Sequence, residues 1–252
     1  MTPRAPLFPK GRRRFTSNPS QAMKPKSIAA ICAILLPCLS GAADAAEECQ
    51  VRGLTVQSGV PAAKVYAHQA DGSSSAGEIN VRTFLNHEFD SLSRSGEKLV
   101  FTLNADPAST KDPEAEIGSC EIPAVVKSAI LIFIPLEAGS LKCQVLVVPD
   151  DGKAFPSGSI NVANFTTLPV KIELEDKEFM FKPGEILAIK DPPVGKRGSA
   201  GMKAYCQREG AWHKFSSGLW PHPGKKRVLQ VLTEDPVSKQ VVIRSMRDVV
   251  EP

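Results

Sequence analysis

The richest concentration of chemically capable side chains is "GAWHKFSSGLWPHPGKKR", residues 210–227, which holds both tryptophans of the chain, Trp212 and Trp220, with His213, His222, Lys225, Lys226 and Arg227. Apolar ring faces beside imidazoles and cations suit recognition, because the rings pack on a ligand's apolar side while the charges select its polar groups. These seven residues are therefore read as the binding surface. The alternative is packing, since one tryptophan per strand commonly fills a β core. Binding requires Trp212 and Trp220 to reach solvent, and burial of both would argue against it.

Other constellations offer less. "HEFD", His87 to Asp90, combines an imidazole with two carboxylates, but an isolated polar cluster of this kind reads as solvated surface. "GKRGSAG" carries glycines at 195, 198 and 201 without the strand-then-helix order that cradles phosphate, so it reads as a hairpin loop. No GxSxG elbow, P-loop or HExxH motif occurs. No catalytic residue and no cofactor is assigned.

Cys49, Cys120, Cys143 and Cys206 follow the N-terminal leader. An even number of cysteines in an oxidising compartment points to disulfides, in any of three connectivities. Metal binding is not expected: no pair has CxxC-like spacing, and no histidine lies within four residues of these cysteines.

The elements that must position these residues read as strands. Short apolar runs, alternating or continuous, are bounded by Gly, Pro, Asp and Ser, with no long 3.6-residue periodicity. Ten candidates stand out: 63–68, 78–84, 98–103, 129–134, 143–148, 159–165, 170–174, 185–189, 227–232 and 240–244. "AILIFI", 129–134, is continuous enough to be buried on both faces, and Pro135 stops it.

Four short patterns recur in the same order. Gly77-Glu78-Ile79-Asn80-Val81 matches Gly158-Ser159-Ile160-Asn161-Val162, and the Gly96 turn before Leu99 matches the Gly184 turn before Leu187. Ile130-Leu131 then matches Val228-Leu229, and Gln144-Val145 matches Gln240-Val241. The order implies an all-β chain of two tandem β-sandwich-like domains related by internal duplication, 46–152 and 153–252, with the boundary near "DDGKAFPSG". The second copy carries extra residues between Leu187 and Val228, where both tryptophans fall, so the binding residues are expected on inserted loops.

The run "GSINVANFTTLPVKIELEDKEFMFKPGEILAI", 158–189, resembles uncharacterised exported bacterial proteins built of β-sandwich modules, in which a Gly-Ser start, an Asn-x-Thr turn and a Pro-Gly-Glu turn bracket successive strands. The resemblance covers 32 residues and implies a fold class alone. Asn164-Phe165-Thr166 is also a glycosylation sequon, relevant only in a eukaryotic secretory pathway, whereas the leader is bacterial in style.

The N-terminal region supplies an address. Ile28 to Leu39 is an apolar run of 12 residues preceded by Lys24 and Lys26. As a helix it spans roughly 18 Å, short of the roughly 30 Å of a bilayer core. Ala43-Asp44-Ala45 supplies the small residues of a cleavage site, so residues 23–45 read as a signal peptide cut after Ala45. Residues 1–22 read as a disordered leader or a misplaced start. Pro37 before Cys38 departs from the small-residue lipoprotein pattern, and Arg12-Arg13-Arg14-Phe15 lies too far from the apolar run to make a twin-arginine signal.

Taking the seven bases and one acid of residues 1–45 from totals of 31 and 27 leaves 24 bases and 26 acids, a net charge of −2. A near-neutral chain has no field to collect nucleic acid or anionic lipid. The expected protein is an exported, non-enzymatic binding or accessory module of the bacterial periplasm or cell envelope, or an extracellular one. Its partner would be a protein, peptide or polysaccharide of the envelope, with no nucleic acid and no stable membrane anchor. Two alternatives stand beside it: a structural envelope component self-associating by strand edges, and a hydrolase with a deep pocket around His213 and His222.

Overall fold

The computed structural model describes residues 46–56, 63–195 and 198–248, so the leader and the signal peptide lie outside the described residues. The described chain is all-β, with sixteen strands and one short 3-10 helix, Pro107–Lys111. Among the described residues no helix is long and apolar enough to cross a membrane.

The first half contains β1 (Glu47–Thr55), β2 (Lys64–Gln69), β3 (Ser75–Arg82), β4 (Asp90–Arg94), β5 (Lys98–Thr102), β6 (Glu116–Glu121), β7 (Ser128–Pro135) and β8 (Cys143–Pro149). They form one sheet in the order β6-β5-β2-β3-β1-β7-β8, with β4 paired to β1. β1 changes neighbour along its length: residues 47–51 pair antiparallel with β4, and Gly53 and Leu54 pair parallel with β3. The sheet rolls until its end strands meet, where a side chain on Gly118 of β6 would lie 2.5 Å from the Cys143 carbonyl of β8. Only glycine permits that approach. This half is therefore one rolled sheet, where the sequence suggested a two-sheet sandwich. Its interior holds Val51, Ile79, Leu99, Phe101, Leu131 and Phe133, all fully buried.

The second half contains β9 (Ile160–Asn164), β10 (Val170–Leu174), β11 (Lys177–Phe181), β12 (Ile186–Ile189), β13 (Ser199–Arg208), β14 (Ala211–Pro221), β15 (Arg227–Glu234) and β16 (Val241–Asp248). Two four-stranded sheets, β11-β10-β13-β14 and β12-β9-β15-β16, enclose a core that includes Ile172, Leu174, Phe181 and Trp220. Gly184 takes φ 75° in the turn before β12, as a Pro-Gly turn requires, whereas Gly96 keeps an ordinary backbone. The sequon is not a surface feature: Asn164 is fully buried, its amide donating to the Leu168, Phe181 and Lys182 carbonyls.

A third apolar layer joins the halves. Leu54, Ile130, Ile132 and Val148 pack with Ala163, Leu229, Val231 and Met246. β7 thus has no solvent face: Ala129, Leu131 and Phe133 point into the rolled sheet, and Ile130 and Ile132 into the shared layer. That explains its continuous apolar run. β15 is buried on both sides in the same way, with Val228 and Leu232 facing one core and Leu229 and Val231 the other.

The hairpins β7–β8 and β15–β16 correspond in register, with Ile130 opposite Val148 in one and Leu229 opposite Met246 in the other. Each receives a parallel strand, β1 beside β7 and β9 beside β15. This equivalence places Asp248 where Asp150 stands, and Leu229 rather than Val228 where Ile130 stands. The repeated Gly-x-Ile-Asn-Val strings fall on β3 and β9, which occupy different places in their sheets. Short Val/Ile strands after glycine turns recur for local reasons and do not report sheet position.

Candidate binding face

The outer face of β11-β10-β13-β14 is built by strand alternation. In "VKIEL" of β10, Val170, Ile172 and Leu174 face the core, so Lys171 and Glu173 face out. On β13, Ala204 and Cys206 face in, which turns Lys203, Tyr205 and Gln207 outward. Registry then places Lys171 opposite Tyr205, and Gln207 opposite Trp212 of β14.

Lys171 is the centre of this face. Its ammonium lies 4.8 Å from the Tyr205 ring centroid and 5.8 Å from that of Trp212. It also pairs with Glu173 at 2.8 Å and Glu178 at 3.4 Å. The Tyr205 hydroxyl donates to Glu173 at 3.3 Å. The hydrogen bond to Glu173 holds the Lys171 pKa above its ordinary value, and the same contact holds Glu173 below the usual carboxylate range. Next to this cluster lies a depression of about 360 Å³ between Glu173, Glu175, Lys203, Ser217, Gly201 and Gly218. An aromatic pair with a pinned cation, flanked by donors and acceptors of both signs, can stack on an apolar ligand surface and hydrogen-bond its polar edge.

The residues singled out in the sequence divide. Trp212 is 37 % exposed and lies on this face. His213 is exposed, in register with the inward-facing Cys206, while His222 is exposed beyond β14 with its Nδ1 accepting from the Gly224 amide. Lys225 and Lys226 are exposed beside it. Trp220 is 4 % exposed, packed in the second core with its indole nitrogen unpartnered, so it leaves the surface set. Arg227 is buried as well. The expected inserted loops are instead the long hairpin β13–β14, and the bulge opposite Ala204/Tyr205 turns the two tryptophans, eight residues apart, to opposite faces. Lys171, Glu173, Glu178 and Tyr205 were missed, although charges at every second position of "VKIEL" carry the signal.

Arg227 belongs to an ion quartet between the halves. It donates through Nη1 to Asp150 at 2.8 Å and through Nη2 to Asp248. Arg52 donates through Nε to Asp150 and through Nη2 to Asp248, both at 3.0 Å, and through Nη1 to the Leu85 carbonyl at 2.9 Å. Phe89 covers the Arg52 guanidinium and Phe155 that of Arg227, each with its centroid 4.7 Å away. "HEFD" is therefore not plain surface: Phe89 stacks on Arg52, and Asp90 accepts from the Asn80 amide and side chain. His87 is partly covered, and burial lowers its pKa.

The four cysteines are free thiols, contrary to the disulfide expectation. Cys49, Cys120 and Cys143 share the core of the rolled sheet, whereas Cys206 lies in the second core. That three-to-one division rules out two bridges within the cores. Among the described residues no cluster suited to a metal ion occurs. Three cavities formed by described residues, of about 250, 360 and 540 Å³, have neither His213 nor His222 in their walls.

No family model and no curated protein matches this chain. Among solved structures it is similar to a putative cell adhesion protein from Parabacteroides distasonis, at 6 % identity and a TM-score of 0.17 over 83 % of this chain and 99 % of that one.

Proposed function

We propose that this chain is an exported, non-enzymatic binding module of the bacterial periplasm or cell envelope, and that it holds an envelope polysaccharide against the outer face of β11-β10-β13-β14. One observation carries the reading: Tyr205 and Trp212 lie side by side on that face around the Lys171 ammonium, with carboxylates and the Ser217 hydroxyl at their margin. Sugar rings present apolar C–H faces and polar hydroxyl edges, which matches stacking rings bordered by groups of both signs. The correspondence between the two hairpins supports an origin by duplication, with the second copy alone carrying the aromatic face. A hydrolase around His213 and His222 is less well supported, since both lie exposed and away from the described cavities.

The test uses soluble fragments of bacterial cell-wall glycan as the probe, with tryptophan fluorescence as the readout. Binding should change the Trp212 emission, and isothermal titration calorimetry should show it lost in Trp212→Ala and Tyr205→Ala. No fluorescence change at millimolar glycan, or equal binding by both variants, would refute the polysaccharide reading.

A further inference from the structure

We infer that the free edge of β14 pairs antiparallel with β14 of a second copy of this chain. This goes beyond the polysaccharide reading and is tested without a ligand. β14 ends its sheet, and among the described residues no strand pairs with its outer side. A strand edge presents unpaired N–H and C=O groups, which proteins ordinarily blunt by shortness, charge, proline or cover. The other sheet ends follow that rule. β11 has five residues and β12 four. β16 carries Arg244 and Arg247, and the ends β6 and β8 of the rolled sheet meet each other. β14 runs for eleven residues with Lys214 and His213 as its ionisable groups, and its one proline is its last residue.

The strand is complementary to itself in one register. With the two-fold axis between Phe215 and Ser216, Trp212 of one copy opposes Leu219 of the other, His213 opposes Gly218, and Lys214 opposes Ser217. Registry with β13 puts Trp212, Lys214, Ser217 and Leu219 on the same outer face, so each opposed pair lies on one side of the new ladder. Leu219, 73 % exposed, then gains an aromatic neighbour in Trp212. No like charges oppose one another along the strand. The ends also match: Glu209 is exposed at the turn before β14, and His222, Lys225 and Lys226 are exposed beyond its far end, so the two-fold sets acid beside base. Arg208, the cation next to Glu209, is engaged with the Lys239 carbonyl. The pairing is isologous and closes, giving a dimer rather than a fibre. It joins two outer faces into one eight-stranded surface, with both copies of Tyr205 and Trp212 on the same side.

Sedimentation velocity of the full chain, purified as exported, tests this over a range of concentrations. A concentration-dependent dimer is expected. Ser217→Lys places a second lysine opposite Lys214 twice per dimer and should weaken association roughly tenfold. Ser217→Glu should tighten it by a similar factor, and Lys214→Glu combined with Ser217→Lys, which makes the same acid–base pair in reverse, should also tighten it. Circular dichroism and melting temperature, unchanged in each variant at concentrations where the chain is monomeric, separate loss of pairing from loss of fold. A monomer at 100 µM and above would overturn the proposal. A dimer indifferent to all three changes would overturn it equally, because the contact would then lie elsewhere.

Discussion

Asp150 and Asp248 end equivalent hairpins 98 residues apart and share the same two guanidiniums, those of Arg52 and Arg227. The Asp150 side chain is fully enclosed and that of Asp248 nearly so. Each arginine bridges both carboxylates, so the quartet is neutral as a set and charged if any member is removed.

Loss of one partner should be costly. Arg52→Met leaves the two buried carboxylates to Arg227 alone and should cost about 3–5 kcal/mol, the usual penalty for an uncompensated buried charge. Arg52→Met combined with Asp150→Leu keeps the Arg227–Asp248 pair and should cost less than Arg52→Met alone. Urea unfolding of the three proteins measures both quantities.

The two aspartates should respond to acid with opposite signs. Burial pushes Asp150 above the ordinary aspartate value despite both arginines, with the neighbouring Asp248 charge adding to the rise. Burial also opposes ionisation of Asp248, but the hydrogen bonds and charges of Arg52 and Arg227 outweigh it and hold that residue below the ordinary value. As pH falls towards the ordinary value of about 3.9, the native state binds the Asp150 proton first, and stability from this group rises. The Asp248 contribution is complete above about pH 3.9 and is lost as pH falls through its lower folded value. In stability–pH curves, Asp150→Asn should remove a rise on the acid side and Asp248→Asn a fall at still lower pH.

Thiol labelling should report the core. Burial raises Cys120 to about 12 and Cys143 to about 11. At pH 8 their thiolate fractions are then on the order of one in ten thousand and one in a thousand. Native protein should react with an aromatic disulfide reagent at least about a hundredfold more slowly than protein in denaturant. Rapid native labelling of either residue would contradict their placement.

The tryptophans should separate cleanly. Trp220→Ala empties a core site and should cost about 3–5 kcal/mol, whereas Trp212→Ala should cost less than about 1 kcal/mol. Iodide should quench the emission of the Trp220→Phe variant, which retains Trp212, and barely quench that of Trp212→Phe.

The ten strands read from the sequence coincide with strands of the fold because their Val and Ile runs sit between turn residues. "AILIFI" was legible even as to its two buried faces. The six strands that were missed have weaker patterns: "DSLSR" and "EIGSC" are mostly polar or small, and "AWHKFSSGLWP" carries a bulge opposite Ala204/Tyr205 that shifts its alternation midway. That shift turns Trp220 into the core while Trp212 stays on the outer face. Parallel pairing of β1 with β7, and of β9 with β15, leaves no local mark at all, so the sheet order and the equivalence of Asp150 with Asp248 were hidden. The candidate face was half legible: its rings come from β13 and β14, but its cation comes from β10, and only sheet registry brings Lys171 to them.

Because β7 and β15 are covered on both sides, neither half of the molecule has a finished exterior. Synthesis or translocation that delivers residues 46–150 first leaves Ile130 and Ile132 bare until the remainder arrives to cap them. A gene cut near residue 152 should therefore yield two fragments that each expose part of the shared apolar layer and aggregate.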